Sequence, residues 1–287
     1  MSQTSHLTPR FKSSRPILTP EQRQSWEDNG FLMLKSFFDK KQVEVINELI
    51  DSLWINRKTS GTPLVCDAFI ETPQEKRIRL KDAPDEARHL PYKLNDLYLE
   101  KDAIRSLILD PRLSNILSNL LAGKPLAFNT LNFERGSQQR FHFDTFYMPP
   151  RIPNKMLATW IALEPGSEKS GPLRYYPGSH KIPPYSFSSG RLNAIADEMP
   201  LFDEYINAQL KEFNLTPTVF YPEAGDVFIW HAQLYHGGSP ILDPSATRKS
   251  IVTHYFRARD YILRKGWRFR KSGGGYYLRK PHSPVGK

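Results

Sequence analysis

Two histidines, one aspartate and one arginine carry the first chemical signal in this chain. His142 and Asp144 stand two residues apart in Phe141-His142-Phe143-Asp144, and His236 follows 92 residues after Asp144 in Leu234-Tyr235-His236-Gly237-Gly238. In an extended strand residues i and i+2 share a face, so this imidazole and carboxylate can close on one ion. Two His and one carboxylate, with coordination positions left open, is the donor set of non-haem Fe(II) oxygenases. Arg248 lies twelve residues past His236. A guanidinium grips a carboxylate through two parallel hydrogen bonds, which a lysine cannot match. Ser250, two residues on, shares the face of Arg248 if both lie on a strand.

Each piece is weak alone. A His-x-Asp on an open strand is more often a solvated pair than a metal site. The neighbours Phe141, Phe143, Phe146 and Tyr147 change that balance. They place the pair in a lined cavity, where a carboxylate needs a partner such as a metal. His231 competes with His236 for the second imidazole. The two are five residues apart, an odd separation that points to opposite faces of a strand. Phe228-Ile229-Trp230-His231 reads as packed strand, whereas His236 precedes Gly237-Gly238-Ser239-Pro240, a turn where backbone can approach a ligand. His236 is therefore preferred, and His254 is read as a core or supporting histidine.

The elements that must position these residues change texture along the chain. Residues 1–18 are polar, carry Pro9 and Pro16 and show no periodicity, the pattern of a disordered N-terminal segment. Thr19-Pro20-Glu21-Gln22 predicts a capped helix that stops at Gly30, followed by a short strand over 31–34. Asp39 opens a second helix whose Val43, Ile46, Leu49, Ile50, Leu53 and Trp54 fall on one face. Residues 57–92 read as irregular and charged. Helices over 101–108 and from Pro111 to a stop at Gly123 make the first 123 residues mainly helical. Short aromatic or β-branched runs then follow at 126–133, 140–147, 156–163, 172–176, 218–221, 226–231 and 250–257, separated by turn residues. Such a series predicts a sandwich or barrel. Residues 185–215 interrupt it with a weakly periodic insert, read as a partly helical flap over one mouth of the barrel. The chain divides into the disordered segment 1–18, one domain over 19–262 and a basic extension over 263–287.

Bulk composition narrows the class. The 17 Phe, 13 Tyr and 5 Trp suit a strand-built core. A single cysteine, Cys66, excludes an internal disulfide and a thiolate metal cluster. No apolar run approaches the roughly 20 residues of a spanning helix, and residues 1–14 lack the apolar centre of a signal peptide. The expectation is a cytoplasmic protein that is not transmembrane. Net charge is +10, and residues 257–287 hold ten Lys/Arg against one acid, Asp260. Such a tail can meet nucleic acid, anionic lipid or a phosphorylated or carrier-bound substrate, and it can equally be a solvated end.

In their order along the chain these pieces resemble the phytanoyl-CoA dioxygenase family of Fe(II)/2-oxoglutarate oxygenases. The matching residues are Leu18-Thr19-Pro20-Glu21, Asn29-Gly30-Phe31, Phe141-His142-Phe143-Asp144, Trp160 with Ala162-Leu163, Ser170-Gly171-Pro172-Leu173, Pro177-Gly178-Ser179-His180, Gly225-Asp226-Val227-Phe228, His236-Gly237-Gly238-Ser239 and Arg248. The resemblance spans 18 to about 260 and implies a mainly β fold with flanking helices, a double-stranded β-helix or cupin-like jelly roll. It implies that His142, Asp144 and His236 bind Fe(II), that Arg248 with Ser250 takes the distal carboxylate of 2-oxoglutarate, and that O2 is the further co-substrate. It also implies that Trp160, Lys93 and Asn132 lie near 2-oxoglutarate. The expected reaction is hydroxylation of an aliphatic carbon of a small-molecule or carrier-bound substrate, with anionic candidates included. Retention of Asp144 argues against halogenation. Phe143 departs from the family, where many members have Gln between the metal His and Asp. The insert 185–215 has no match, and substrate choice is expected there. The rival readings are a cupin-type metalloenzyme that does not use 2-oxoglutarate and a non-catalytic barrel whose basic tail grips nucleic acid or membrane. No nucleic-acid partner is expected, and the sequence specifies no oligomeric state.

Overall fold

The computed structural model of the chain describes residues 17–70 and 74–285. Most of the disordered-segment expectation thus lies outside the described residues. Its last residue, Leu18, is buried with the core. Four helices form one layer: α1 (Pro20–Asn29), α2 (Lys40–Ile55), α3 (Asp102–Ile108) and α4 (Pro111–Leu121). Thr19 and Asp39 each make a capping box, with Gln22 and Gln42, which satisfies the first free N–H groups of α1 and α2. Helix α4 ends at Ala122, which takes the left-handed conformation itself (φ 53°), one residue before the expected stop at Gly123.

The main sheet runs in the order β1 (Phe31–Leu34), β9 (Val227–His231), β6 (Met156–Ala162), β11 (Ser250–Arg257), β5 (Pro125–Phe133), β4 (Tyr92–Asn95), β2 (Val65–Ala68) and β3 (Lys76–Arg79). A smaller sheet holds β7 (Leu173–Tyr175) between β10 (His236–Gly238) and β8 (Thr218–Phe220). Alternation along the central strands sets two interiors. Leu157, Ile161, Val227, Ile229 and Ile251 pack with the helices. Their neighbours Ala158, Trp160, Phe228 and Trp230 pack with Tyr175 and Phe220 of the smaller sheet. A period of two with both faces covered explains why β6 and β9 are buried at every position. The large antiparallel sheet, its facing small sheet and the helical backing are the expected double-stranded β-helix.

Three expectations change. The stretch 57–92 contains strands β2 and β3 and the first residue of β4, and these strands extend the main sheet. Strand β3, Lys-Arg-Ile-Arg, is a mostly exposed edge whose charges hide its pairing from a hydrophobic pattern. The run 140–147 is not a strand. His142 makes a single bridge to His236, and Asp144–Phe146 is a 3-10 turn. The basic tail is sheet as well: β12 (Arg268–Ser272) and β13 (Gly275–Arg279) form a hairpin, and β13 pairs parallel to β5. The insert carries α5 (Met199–Glu212). Its Phe202, Ile206 and Leu210 join Phe143, Phe146, Phe187 and Tyr235 in a separate aromatic cluster. Among the described residues no helix is long and apolar enough to cross a membrane.

Candidate active site

His142 and His236 face each other across a single antiparallel bridge. The N–H of His142 donates to the carbonyl of His236 at 2.8 Å, and that of His236 returns the bond at 3.1 Å. A hydrogen-bonded antiparallel pair projects both side chains to one face, and the ring centroids lie 4.4 Å apart. The approach needs Gly237 and Gly238. A Cβ on Gly237 would stand 2.9 Å from the backbone N of Phe141, and one on Gly238 2.9 Å from that of Gln138. The 3-10 turn after Phe143 then brings Asp144 Oδ1 to 3.8 Å from His142 Nε2 and 3.6 Å from His236 Nε2. Among the described residues these three form the one group of His, Cys, Asp or Glu whose ligand atoms, within 4.8 Å of one another, could hold a metal ion. Spacing placed the two residues together, but a turn, not strand alternation, aims them.

Local contacts prepare the donors. The Nδ1 of His142 lies 2.8 Å from the carbonyl of Arg140, and that of His236 2.8 Å from the carbonyl of Leu234. A carbonyl only accepts, so each Nδ1 carries the proton and each Nε2 presents a lone pair inward. Burial, then the neighbouring His236, pushes the His142 imidazole down to about 3, so it stays neutral. Burial alone would raise the Asp144 carboxyl, but the His254 and His236 rings outweigh it and hold it well below the usual range. Trp230 Nε1–H donates to Asp144 Oδ2 at 2.8 Å, which fixes the carboxylate plane and leaves Oδ1 toward the histidines. Two imidazoles presenting Nε2 lone pairs and one anionic oxygen, each oriented by a second contact, fit a divalent transition metal.

The same face holds an unmatched cation. The Arg248 side chain is buried, no described carboxylate pairs with it, and its Nε has no hydrogen-bond partner. Its guanidinium lies over the Trp160 ring, 5.0 Å from the centroid. Burial pushes it down to about 10, which leaves it charged at neutral pH. A buried cation without a counter-ion is costly and fits a carboxylate supplied by a ligand. Arg248, Trp160, the three metal-ligand candidates, Val252 and His254 all line one cavity of about 450 Å³. Ser250 lies between Arg248 and Val252 in chain order but is not among the residues lining the cavity, and among the described residues its buried Oγ has no hydrogen-bond partner.

Other expected site residues fall differently. Lys93 lines the outer cavity and pairs with Glu75 at 2.5 Å. Asn132 is not in the cavity: on β5 its neighbours Leu131 and Phe133 face inward, and its own amide turns to the other face, where Nδ2 donates to the Ser250 carbonyl. Strand alternation puts it there. His231 stays away from the metal-ligand candidates, between Trp26 and His180, and its Nδ1 accepts from the Gln233 N–H. The Pro-Gly-Ser-His piece is structural. Ser179 Oγ donates to the Tyr176 carbonyl and accepts from the Tyr235 N–H, which anchors the approach to His236. No residue of 185–215 lines the cavity. The insert packs behind Phe143 and Phe146.

Sequence reasoning missed Trp230, Phe128, Asn129, Lys280 and Ser283, and read His254 only as a core or supporting histidine. Trp230 reads as core because its ring is, and only the partner of its N–H reveals a second role. His254 Nε2 lies 3.3 Å from Asp144 Oδ1, with Nδ1 2.8 Å from Asn129 Oδ1. A β-bulge lets Phe128 and Asn129 both reach the cavity. Lys280 and Ser283 arrive from the tail. The period-two placement of Trp230 beside Phe228 was a usable signal for an inward face. Nothing local marked Lys280.

Comparison with known proteins agrees with this geometry. Residues 26–250 match the family model described as phytanoyl-CoA dioxygenase (PhyH). The chain is 24% identical over 267 residues to the peroxisomal phytanoyl-CoA dioxygenase of Homo sapiens, covering 87% of this chain and 72% of that protein. It is also 24% identical over 246 residues to a probable alpha-ketoglutarate-dependent hypophosphite dioxygenase of Stutzerimonas stutzeri, covering 84% and 79%. Among solved structures, EctD from S. alaskensis with bound Fe superposes with a TM-score of 0.64 at 14% identity, covering 88% of this chain and 81% of that one. The epimerase SnoN from nogalamycin biosynthesis superposes at 0.63 with 16% identity, covering 91% and 97%.

Proposed function

The chain belongs to the phytanoyl-CoA dioxygenase (PhyH) family and is a 2-oxoglutarate-dependent dioxygenase that uses iron; on that premise we propose that it hydroxylates an aliphatic carbon of a small or carrier-bound substrate. His142 Nε2, His236 Nε2 and Asp144 Oδ1 hold the iron in this reading. Arg248 takes the distal carboxylate of 2-oxoglutarate, with the Ser250 hydroxyl beside it and Trp160 under the guanidinium. The observation that carries the assignment is the combination, in one cavity, of three converging ligand atoms and a buried guanidinium without a counter-ion.

When bound, iron and 2-oxoglutarate supply the O2-dependent oxidation of a C–H bond, with decarboxylation of the keto acid. The chain's own work is orientation and exclusion of water. The carbonyls of Arg140 and Leu234 hold the two imidazoles in the metal-binding tautomer. Trp230 keeps Asp144 from rotating. The aromatic cluster of Phe143, Phe146, Phe202 and Tyr235 seals the back of the ligand-bearing turn. Arg248 fixes where the keto acid ends and therefore where its reacting end stands.

The test is O2-dependent release of succinate from 2-oxoglutarate by the iron-loaded protein. Wild type should release it, and a screened substrate should accelerate it. Absence of release with iron, 2-oxoglutarate and O2 all present would refute the oxygenase assignment.

A further inference from the structure

We propose that the segment following β13 builds an oxyanion-binding wall of the active cavity, in which Lys280 selects a substrate bearing a carboxylate or phosphate. The inference rests on the oxygenase reading above and names the substrate class for the same cavity. Lys280 lies beyond the residues matched to the family model. Its side chain is only 10% exposed, with Nζ 2.7 Å from Asp96 Oδ2 and 5.1 Å from the centroid of the Phe128 ring. The segment is tied down on both sides. The Tyr98 hydroxyl lies between the carbonyls of Phe128 and Leu278, at 2.8 and 2.9 Å. Arg279 Nη1 donates to the Leu99 carbonyl at 2.5 Å, and His282 Nε2 lies 2.9 Å from Glu100 Oε1. Lys280 and Ser283 thus belong to a built wall of the cavity that Asp144 and His236 also line.

The balance of donors and acceptors on this wall sets the ligand class. Its cations are Arg77, Lys93 and Lys280, and its carboxylates are Asp67 and Asp96. Each carboxylate already accepts two bonds, about half of its lone-pair sites. Asp67 accepts from Arg77 through both oxygens, at 2.6 and 2.8 Å. Asp96 accepts the Thr130 N–H at 3.1 Å through Oδ1 and Lys280 through Oδ2. The cations keep spare N–H groups. An ammonium has three, and a guanidinium five. Among the described residues Lys280 meets one carboxylate oxygen, Lys93 meets Glu75, and Arg77 directs two N–H groups to Asp67. The wall therefore offers donors in excess of acceptors. A carboxylate or phosphate brings acceptors alone and forms charge-assisted bonds here, whereas an ammonium or amide head leaves donors unmatched.

The experiment uses the Fe(II)-loaded protein under anaerobic conditions with 2-oxoglutarate at saturation, so that Arg248 is occupied. Octanoate, octyl phosphate and octanamide are titrated calorimetrically, sharing a chain length and differing in the head group. At least one oxyanion should bind about tenfold or more tightly than octanamide, as one charge-assisted bond is worth, and the tighter of the two separates carboxylate from phosphate. Lys280→Met should reduce that preference to within about twofold, while Lys280→Arg keeps it. If Lys280→Met lowers the Tm too far to titrate, Lys280→Gln retains a hydrogen bond to Asp96 and should show the same loss. Equal affinity for all three heads, no binding by either oxyanion, or a preference that survives the loss of the ammonium overturns the proposal. Failure of 2-oxoglutarate itself to bind would instead strike the oxygenase reading.

Discussion

At the inner end of the cavity the Arg248 guanidinium is buried, and among the described residues no acid pairs with it. At the outer end Arg77, Lys93 and Lys280 each touch a carboxylate. The inner end also holds its two metal-ligand histidines through backbone carbonyls, and Asp144 through an indole on Oδ2 with His254 3.3 Å from Oδ1. The outer end is held by ion pairs between side chains from β2, β3, β4 and the tail. An unpaired buried charge is expensive, which is the ground for proposing that a ligand's carboxylate partners Arg248. The paired cations at the outer end keep spare N–H groups for a ligand's acceptors without giving up their carboxylates, which suits selection among substrates.

Substitutions at the inner end should have the largest effects. Asp144→Ala removes the only anionic ligand, and turnover should fall by about a thousandfold or more with loss of iron binding. Arg248→Ala should weaken 2-oxoglutarate binding about 10- to 100-fold, the worth of a charge-assisted contact, while iron affinity stays within about twofold. Equal loss of both would make Arg248 a structural residue and erase the contrast between the two ends. Trp230→Phe keeps the ring and deletes the N–H to Asp144. Iron affinity should drop about tenfold, the usual scale for a residue that orients a ligand, measured by competition with a chelator.

The smallest effect lies away from both ends, at His231. Burial, then the neighbouring His180, pushes its imidazole down to about 3. The unfolded chain protonates this histidine near its ordinary value and the folded chain does not, so its contribution is present above about pH 6.5 and is lost as pH falls toward 3. His231→Gln should flatten the acid side of the stability profile by about 1.4 kcal/mol per pH unit, read from denaturant midpoints between pH 6 and 4. An unchanged slope would show that His231 is protonated in the fold.

The comparison of the two ends also marks how far the sequence could be read. The inner end was legible because its residues are rare types at fixed spacing, and the strands that carry them alternate strongly. Even there the geometry differed, since the His142–His236 bridge and the turn at Asp144 replace a strand that periodicity favours. Asn132 was misplaced by one step of strand alternation. The outer end was not legible. Strands β2 to β4 are four residues each and include the charged edge strand β3, so hydrophobic period carries little signal. The tail reads equally as a binding extension or a solvated end because its charges outnumber its apolar residues, yet Leu278 is fully buried and the Tyr276–Leu126 and Tyr277–Ala127 pairings dock it on β5. Long-range pairing of this kind leaves no local trace. The aromatic insert shows the converse. Its periodicity was read correctly as helix, and its position was not, because an amphipathic pattern tells that a face is buried and not against what.

The most direct measurement is an anaerobic titration of 2-oxoglutarate into Fe(II)-loaded protein, followed through the visible charge-transfer absorption of the keto acid on iron. Wild type should develop a saturable band. Arg248→Ala should reach the same band only at about 10- to 100-fold higher 2-oxoglutarate, and Asp144→Ala should show none. A wild-type protein without a band, or an Asp144→Ala protein that keeps it, would contradict the assignment of iron and 2-oxoglutarate to the inner end of the cavity.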